Sequence, residues 1–96
     1  MSIVETQTFR LVAGTDVTDF LASDKRVQTE LVPNQPGFVR RTTARAGEVW
    51  LVVTLWGTQG AAIAFDDLAG VDPVQAQFLA HLAPGSLSVQ RYETLD

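Results

Sequence analysis

Glu48-Val-Trp-Leu-Val-Val-Thr-Leu-Trp56 contains the longest apolar run of the chain, and its composition reads as a strand: β-branched and aromatic residues dominate, with no Gly or Pro to interrupt them. With a period of two, Trp50, Val52, Thr54 and Trp56 point one way, while Val49, Leu51, Val53 and Leu55 point the other. Both sets are largely apolar, so both faces of this strand have to be covered. Helices of the same chain can cover one face. A second sheet, from another copy of the chain, is expected on the other. The run itself does not decide which set meets the helices.

Working outward, Phe38 to Arg45 is rich in strand formers and leads through Ala46-Gly47 into the central run, so the two form a hairpin. Upstream, Pro33 and Asn34-Gln35-Pro36-Gly37 end a helix and reverse the chain. That helix starts at Thr15 or Asp16 as N-cap and runs to about Leu31, with Val17, Phe20, Leu21, Val27 and Leu31 at helical spacing. Before it, Ile3 to Val12 alternates imperfectly between apolar and polar residues and ends at Ala13-Gly14, which reads as the first strand. Downstream of Trp56, Thr58 caps a helix through Ala61, Ala62, Ile63 and Phe65, which breaks at Gly70. Asp72 restarts it, with Pro73 at the first helical position and Gln75 three beyond the cap. Ala83-Pro84-Gly85 ends this piece, and Ser86 to Leu95 is the fourth strand.

The order is β-α-β-β-α-β, the split βαβ unit of ferredoxin-like α+β folds, in one domain spanning residues 1–96. Right-handed crossovers place the helices on one face of a four-stranded antiparallel sheet. A homodimer packed through the bare sheet faces is expected, because that face carries Trp or Val and Leu side chains. An apolar fraction of 46% in 96 residues fits a chain that also buries surface by self-association. The formal net charge of -4 argues against a nucleic-acid or anionic-membrane partner. The absence of cysteine removes disulfides, thiolate nucleophiles and cysteine metal sites. Met1-Ser-Ile-Val-Glu5 has neither the basic region nor the apolar core of a signal peptide, so a cytoplasmic location is expected.

On these residues the chain resembles the dimeric α/β barrel superfamily, in particular the antibiotic biosynthesis monooxygenase-like group. The resemblance rests on the element order, on Gln35-Pro36-Gly37-Phe38 entering the second strand, on Leu51 to Trp56 ending in tryptophan, and on the Ala-rich helix Ala61 to Phe65. It implies a pocket in each subunit between helices and sheet, lined by aromatics and a few polar groups. Phe9, Phe20, Trp50, Phe65 and Phe78, with Asp24 and Arg41, are the expected ligand-binding residues. It further implies a cofactor-independent monooxygenase for a small aromatic or polyketide-like substrate, whose deprotonated form itself reduces dioxygen, with no cofactor and no metal. The protein then has to bind an aromatic, stabilise an anion and exclude water. Trp56 matches the group's strand-end tryptophan and, with His81, is an expected catalytic residue. The haem-degrading branch carries a first-strand asparagine and a helical histidine closer to that tryptophan. Neither is present here, so haem is not expected.

Read without the resemblance, the same residues have structural roles. Trp56 seals the end of a core. His81, the single histidine, lies one turn from a Pro-Gly helix end and can cap carbonyls there. Asp24 falls on the first helix's apolar stripe, and its burial needs a partner such as Arg40 or Arg41. Those two arginines point to opposite faces of one strand, and interchain pairs with Glu48, Glu93 or Asp96 are expected of them before ligand binding. Asp66-Asp67, at a helix end without a nearby histidine, reads as solvated rather than as a metal site. The rival function is a non-catalytic ligand-binding or stress-associated dimeric barrel, favoured by the scarcity of acid-base residues.

Overall fold

The run at residues 48–56 becomes an inner strand with a partner on each side. The computed structural model describes residues 1–95, so Asp96 and any ion pair expected of it lie outside the described residues. Strands β1 (Ile3–Phe9), β2 (Phe38–Ala46), β3 (Val49–Trp56) and β4 (Ser88–Glu93) form one antiparallel sheet in the order β2-β3-β1-β4. The first strand stops at Phe9 rather than Val12, and Leu11 makes only a lone bridge to Leu82.

Each helix starts where its cap chemistry dictates. Asp16 accepts from the Thr18 N–H ahead of α1 (Val17–Arg26), and Thr58 accepts from Ala61 N–H ahead of α2 (Gln59–Asp66). Asp72 accepts from Val74 and Gln75 N–H ahead of α3 (Pro73–Ala80). The first helical stretch does reach Leu31, but its last turn, Val27–Leu31, widens into a π-helix before a short 3₁₀ turn, Val32–Asn34, that contains Pro33. A further 3₁₀ turn, Asp67–Gly70, separates α2 from α3.

The register decides which side of the sheet meets the helices. Trp50, Val52, Thr54 and Trp56 are buried beneath them, beside Ile3, Glu5, Gln7 and Phe9 of β1. The opposite face carries Val4, Thr6, Leu51, Val53 and Leu55, which are only half-buried; Thr42 beside them is exposed. Nothing in the described residues packs over that face.

The core divides into two aromatic groups. Under α1, Phe20 packs against Phe9, Trp50 and Phe78 at centroid distances of 5.8, 4.8 and 5.5 Å. At the end of β3, Trp56 meets Phe38 at 5.8 Å and Phe65 of α2 at 5.2 Å. Gly37 lets α2 come down onto this second group. Its φ is +83°, and a Cβ there would stand 2.7 Å from Ala61 Cβ, while its carbonyl accepts from Gly57 N–H at 2.7 Å. Among the described residues no helix is long and apolar enough to cross a membrane.

Candidate functional site

The strand pattern of β1 places two polar side chains in the core. Ile3, Glu5, Gln7 and Phe9 share one face by period two, and all four are buried. Glu5 stands in register with Thr54 of β3 on one side and Arg91 of β4 on the other, and Thr54 with Arg41 of β2. A polar row, Arg41-Thr54-Glu5-Arg91, therefore crosses the helix-facing side of the whole sheet. Each arginine at its ends meets a carboxylate from a different helix.

At the β2 end, Arg41 Nη2 donates to Asp24 Oδ1 of α1 at 2.7 Å, and Arg41 Nη1 donates to Gln28 Oε1 at 3.3 Å. Thr43 Oγ1 donates to the same Asp24 oxygen at 3.0 Å, and the guanidinium lies 5.5 Å from the Phe78 ring centroid. The pair is almost closed to water, with side-chain exposures of 3% and 15%. Of the roles expected for Arg40 and Arg41, Arg41 takes the intrachain one as partner of Asp24. It faces the helices and not a second subunit.

At the β4 end, Arg91 Nε donates to Glu5 Oε2 at 2.9 Å, and Arg91 Nη2 donates to Asp66 of α2. Asp66 is thus ion-paired and 27% exposed, while its neighbour Asp67 is exposed as its helix-end position implies. Burial pushes the Glu5 carboxyl up to about 7; the Arg91 hydrogen bond opposes the rise and Asp66 adds to it. Among the described residues no group of three or more acidic or histidine side chains is placed to hold a metal.

Beside this end of the row lies a cavity of about 480 Å³ between β1 and β4 below and α2 and α3 above. Its polar wall is Gln7, Asp66, Gln75, Gln90 and Arg91, and its apolar wall includes Leu79, Leu87 and Val89. Gln75 occupies the capping-box position of α3, yet the box does not close. The Asp72 N–H that Gln75 would bind donates instead to Leu68 O at 2.9 Å. The freed carboxamide is 3% exposed, and its Oε1 has no hydrogen-bond partner among the described residues.

The expected site residues lie in the other parts of the layer. Phe9, Phe20 and Phe78 close on one another under α1, next to Arg41 and Asp24. Trp50 joins them, with the Arg45 guanidinium 5.0 Å from its ring. Trp56 is 0% exposed, packs on Phe38 and Phe65, and keeps its Nε1 without a partner. His81 ends α3, edge-on to Phe20 at 6.0 Å, and its carbonyl accepts from Val12 N–H at 2.9 Å. None of these side chains lines the cavity. Glu5, Gln7 and Gln75 are the residues that sequence reading missed as a site, while Arg91 on the fourth strand poses the same two-face question as Arg40 and Arg41. One local signal existed: Glu5 and Gln7 are in phase with Ile3 and Phe9, so two polar groups occupy inward positions of a strand.

No family model matches the chain, and no curated protein sequence matches it. Solved structures do. SnoaB, a cofactor-independent oxygenase from Streptomyces nogalater, is 16% identical, covers 99% of this chain with 94% of its own, and superposes with a TM-score of 0.79. A candidate antibiotic biosynthesis monooxygenase from Bordetella bronchiseptica is also 16% identical, with coverage of 98% and 97% and a TM-score of 0.81. Rv0793 from Mycobacterium tuberculosis reaches 14% identity, coverage of 100% and 97%, and a TM-score of 0.69. The fold expected from the sequence, ferredoxin-like and shared with the antibiotic biosynthesis monooxygenase-like group, is therefore the fold the chain has.

Proposed function

We propose that this chain is a homodimeric, cofactor-independent oxygenase-like enzyme whose small aromatic or polyketide-like substrate sits in the cavity between β1, β4, α2 and α3. The observation that carries this reading is the cavity itself. It has the size of a small-molecule site, combines an apolar wall with a few convergent polar groups, and lies in a fold shared with a cofactor-independent oxygenase. A phenolic ring would lie against Leu79, Leu87 and Val89, with its hydroxyl at Gln75 and Arg91. Loss of the phenolic proton leaves an electron-rich anion able to reduce dioxygen directly, and the Gln75 amide and Arg91 guanidinium can donate hydrogen bonds to its oxygen. Trp56, whose buried indole N–H lacks an acceptor among the described residues, and His81, the only imidazole, lie outside the cavity, so they act on turnover through the packing around it rather than by touching the substrate. The homodimer is supported by the bare apolar face of Val4, Leu51, Val53 and Leu55.

Oxygen uptake with a panel of hydroquinones and anthrones tests the reading. The native protein is expected to consume dioxygen, Gln75→Leu to lose most of that activity, and Trp56→Phe and His81→Ala to lower it. Binding of the same compounds without uptake moves the protein to the non-catalytic ligand-binding class. Undiminished turnover in all three variants removes the site. Light scattering at micromolar concentration checks the assembly, where a monomer contradicts the dimer.

A further inference from the structure

The charges around Arg91 do not balance. In the helix-facing row, Arg41 is matched by Asp24, one cation for one anion. Arg91 is contacted by two carboxylates, Glu5 and Asp66. With both ionised, the row carries one uncompensated negative charge, shared between Glu5, 2% exposed, and Asp66, whose side chain is 27% exposed. The other groups facing Glu5 do not supply the missing positive charge. On β3 its neighbour is Thr54, on β1 the same-face neighbours are Ile3 and Gln7, and on β4 the next inward residue is Glu93, opposite Ile3 and itself acidic. Arg41 lies two strands away and is already engaged. Two carboxylates held by one guanidinium are relieved by a single proton between them.

An excess carboxylate alone would mark only an ion cluster. Here it stands beside a cavity, and Asp66 and Arg91 both line that cavity while Glu5 lies behind them. Gln75 lines it too, buried and with its Oε1 unpartnered. Rotation of the terminal amide exchanges Oε1 and Nε2, so this side chain can offer an acceptor to a hydroxyl or a donor to its anion.

We propose that Glu5 and Asp66 share one proton on Arg91, and that Asp66 presents this acid-base pair to the hydroxyl of a phenolic ligand seated against Gln75. This rests on the cavity reading above and names the base that reading lacks. The phenolic O–H bond breaks and its proton passes to Asp66, while the electron pair stays on the phenolate oxygen. Glu5 does not touch the ligand. It acts through Asp66 as the positioning residue that makes the pair one proton short.

Carbon-13 NMR titration of the carboxyl groups tests the proposal, with native protein, Glu5→Gln, Asp66→Asn and Gln75→Leu, each with and without 2-naphthol. In the native protein, Glu5 is expected to protonate between pH 6 and 8, and saturating 2-naphthol is expected to shift that protonation by about one pH unit. Glu5→Gln, which is isosteric, is expected to abolish that protonation while 2-naphthol still binds. Gln75→Leu is expected to weaken 2-naphthol binding at least tenfold and leave the carboxyl titration in place. Full ionisation of both carboxylates throughout this range overturns the proposal, as does 2-naphthol binding that shifts neither resonance; the cluster is then an ion pair only. Failure of 2-naphthol to bind native protein overturns the cavity reading and this inference together.

Discussion

At the β2 end of the sheet Arg41 meets one carboxylate, Asp24, beneath closely packed Phe9, Phe20 and Phe78. At the β4 end Arg91 meets two, Glu5 and Asp66, beside a cavity. Both ends use a guanidinium on the helix-facing side of a strand and an aspartate on a helix. At Arg41 the guanidinium finds three oxygen partners, on Asp24, Gln28 and Thr43. At Arg91 a carboxylate is in excess and a neighbouring amide oxygen is unanswered. A completed pair under full packing is scaffold; an incomplete one beside empty volume lowers stability and is the kind of arrangement found where a ligand completes it.

The largest test of this contrast removes one aspartate from each end. Asp24→Ala leaves Arg41 buried and unpaired and is expected to lower stability by about 3–5 kcal/mol. Asp66→Ala leaves Arg91, a third exposed, still bound to Glu5, and is expected to lower it by about 1 kcal/mol or less. Urea unfolding midpoints at constant slope measure both, and equal losses would dissolve the distinction.

A smaller effect is its dependence on pH. The Glu5 carboxyl is raised from 4.5 to about 7 in the folded chain, so between those values the folded state holds more protons than the unfolded one. Stability therefore falls as pH rises through this window, by on the order of 1–3 kcal/mol. Glu5→Gln is expected to remove the slope and Asp24→Asn to leave it, read as denaturant midpoints at stepped pH.

The smallest test compares two glutamines. Gln28 Oε1 accepts from Arg41, and Gln75 Oε1 accepts from no group among the described residues. Gln28→Leu is expected to lower stability by about 1 kcal/mol and Gln75→Leu to raise it by a similar amount. The same sign for both in thermal unfolding would mean the two ends do not differ in satisfaction.

What was legible in the sequence is what local rules encode. The strand at 48–56, the caps Asp16, Thr58 and Asp72, and the order β-α-β-β-α-β each depend on residues within a few positions of one another. The inner face of β3 was not legible, because Trp50 and Val52 are no more apolar than Leu51 and Val53. Only the register with β1 separates them. The cavity end was less legible still. Glu5 and Arg91 are 86 residues apart, and neither carries a local mark of the other. Asp66 sits at a helix end, where a carboxylate is normally solvated, and only the crossover from α2 to β4 brings Arg91 beneath it. The capping position of Gln75 pointed toward the backbone until Leu68 O took that bond. The expected aromatic site collected the residues that periodicity marks as inward, and most of these fill the core completely.

One wall of the cavity is β4, six residues long, exposed along its whole length and paired only with β1, whereas β3 is held on both sides. Segments with one neighbour and little buried surface open by local fluctuation, at far lower free energy than the domain unfolds. In kinetic terms, the amides of β4 are expected to exchange with solvent through such openings well before those of β3, so the wall of the cavity and the centre of the sheet have separate stabilities in this chain.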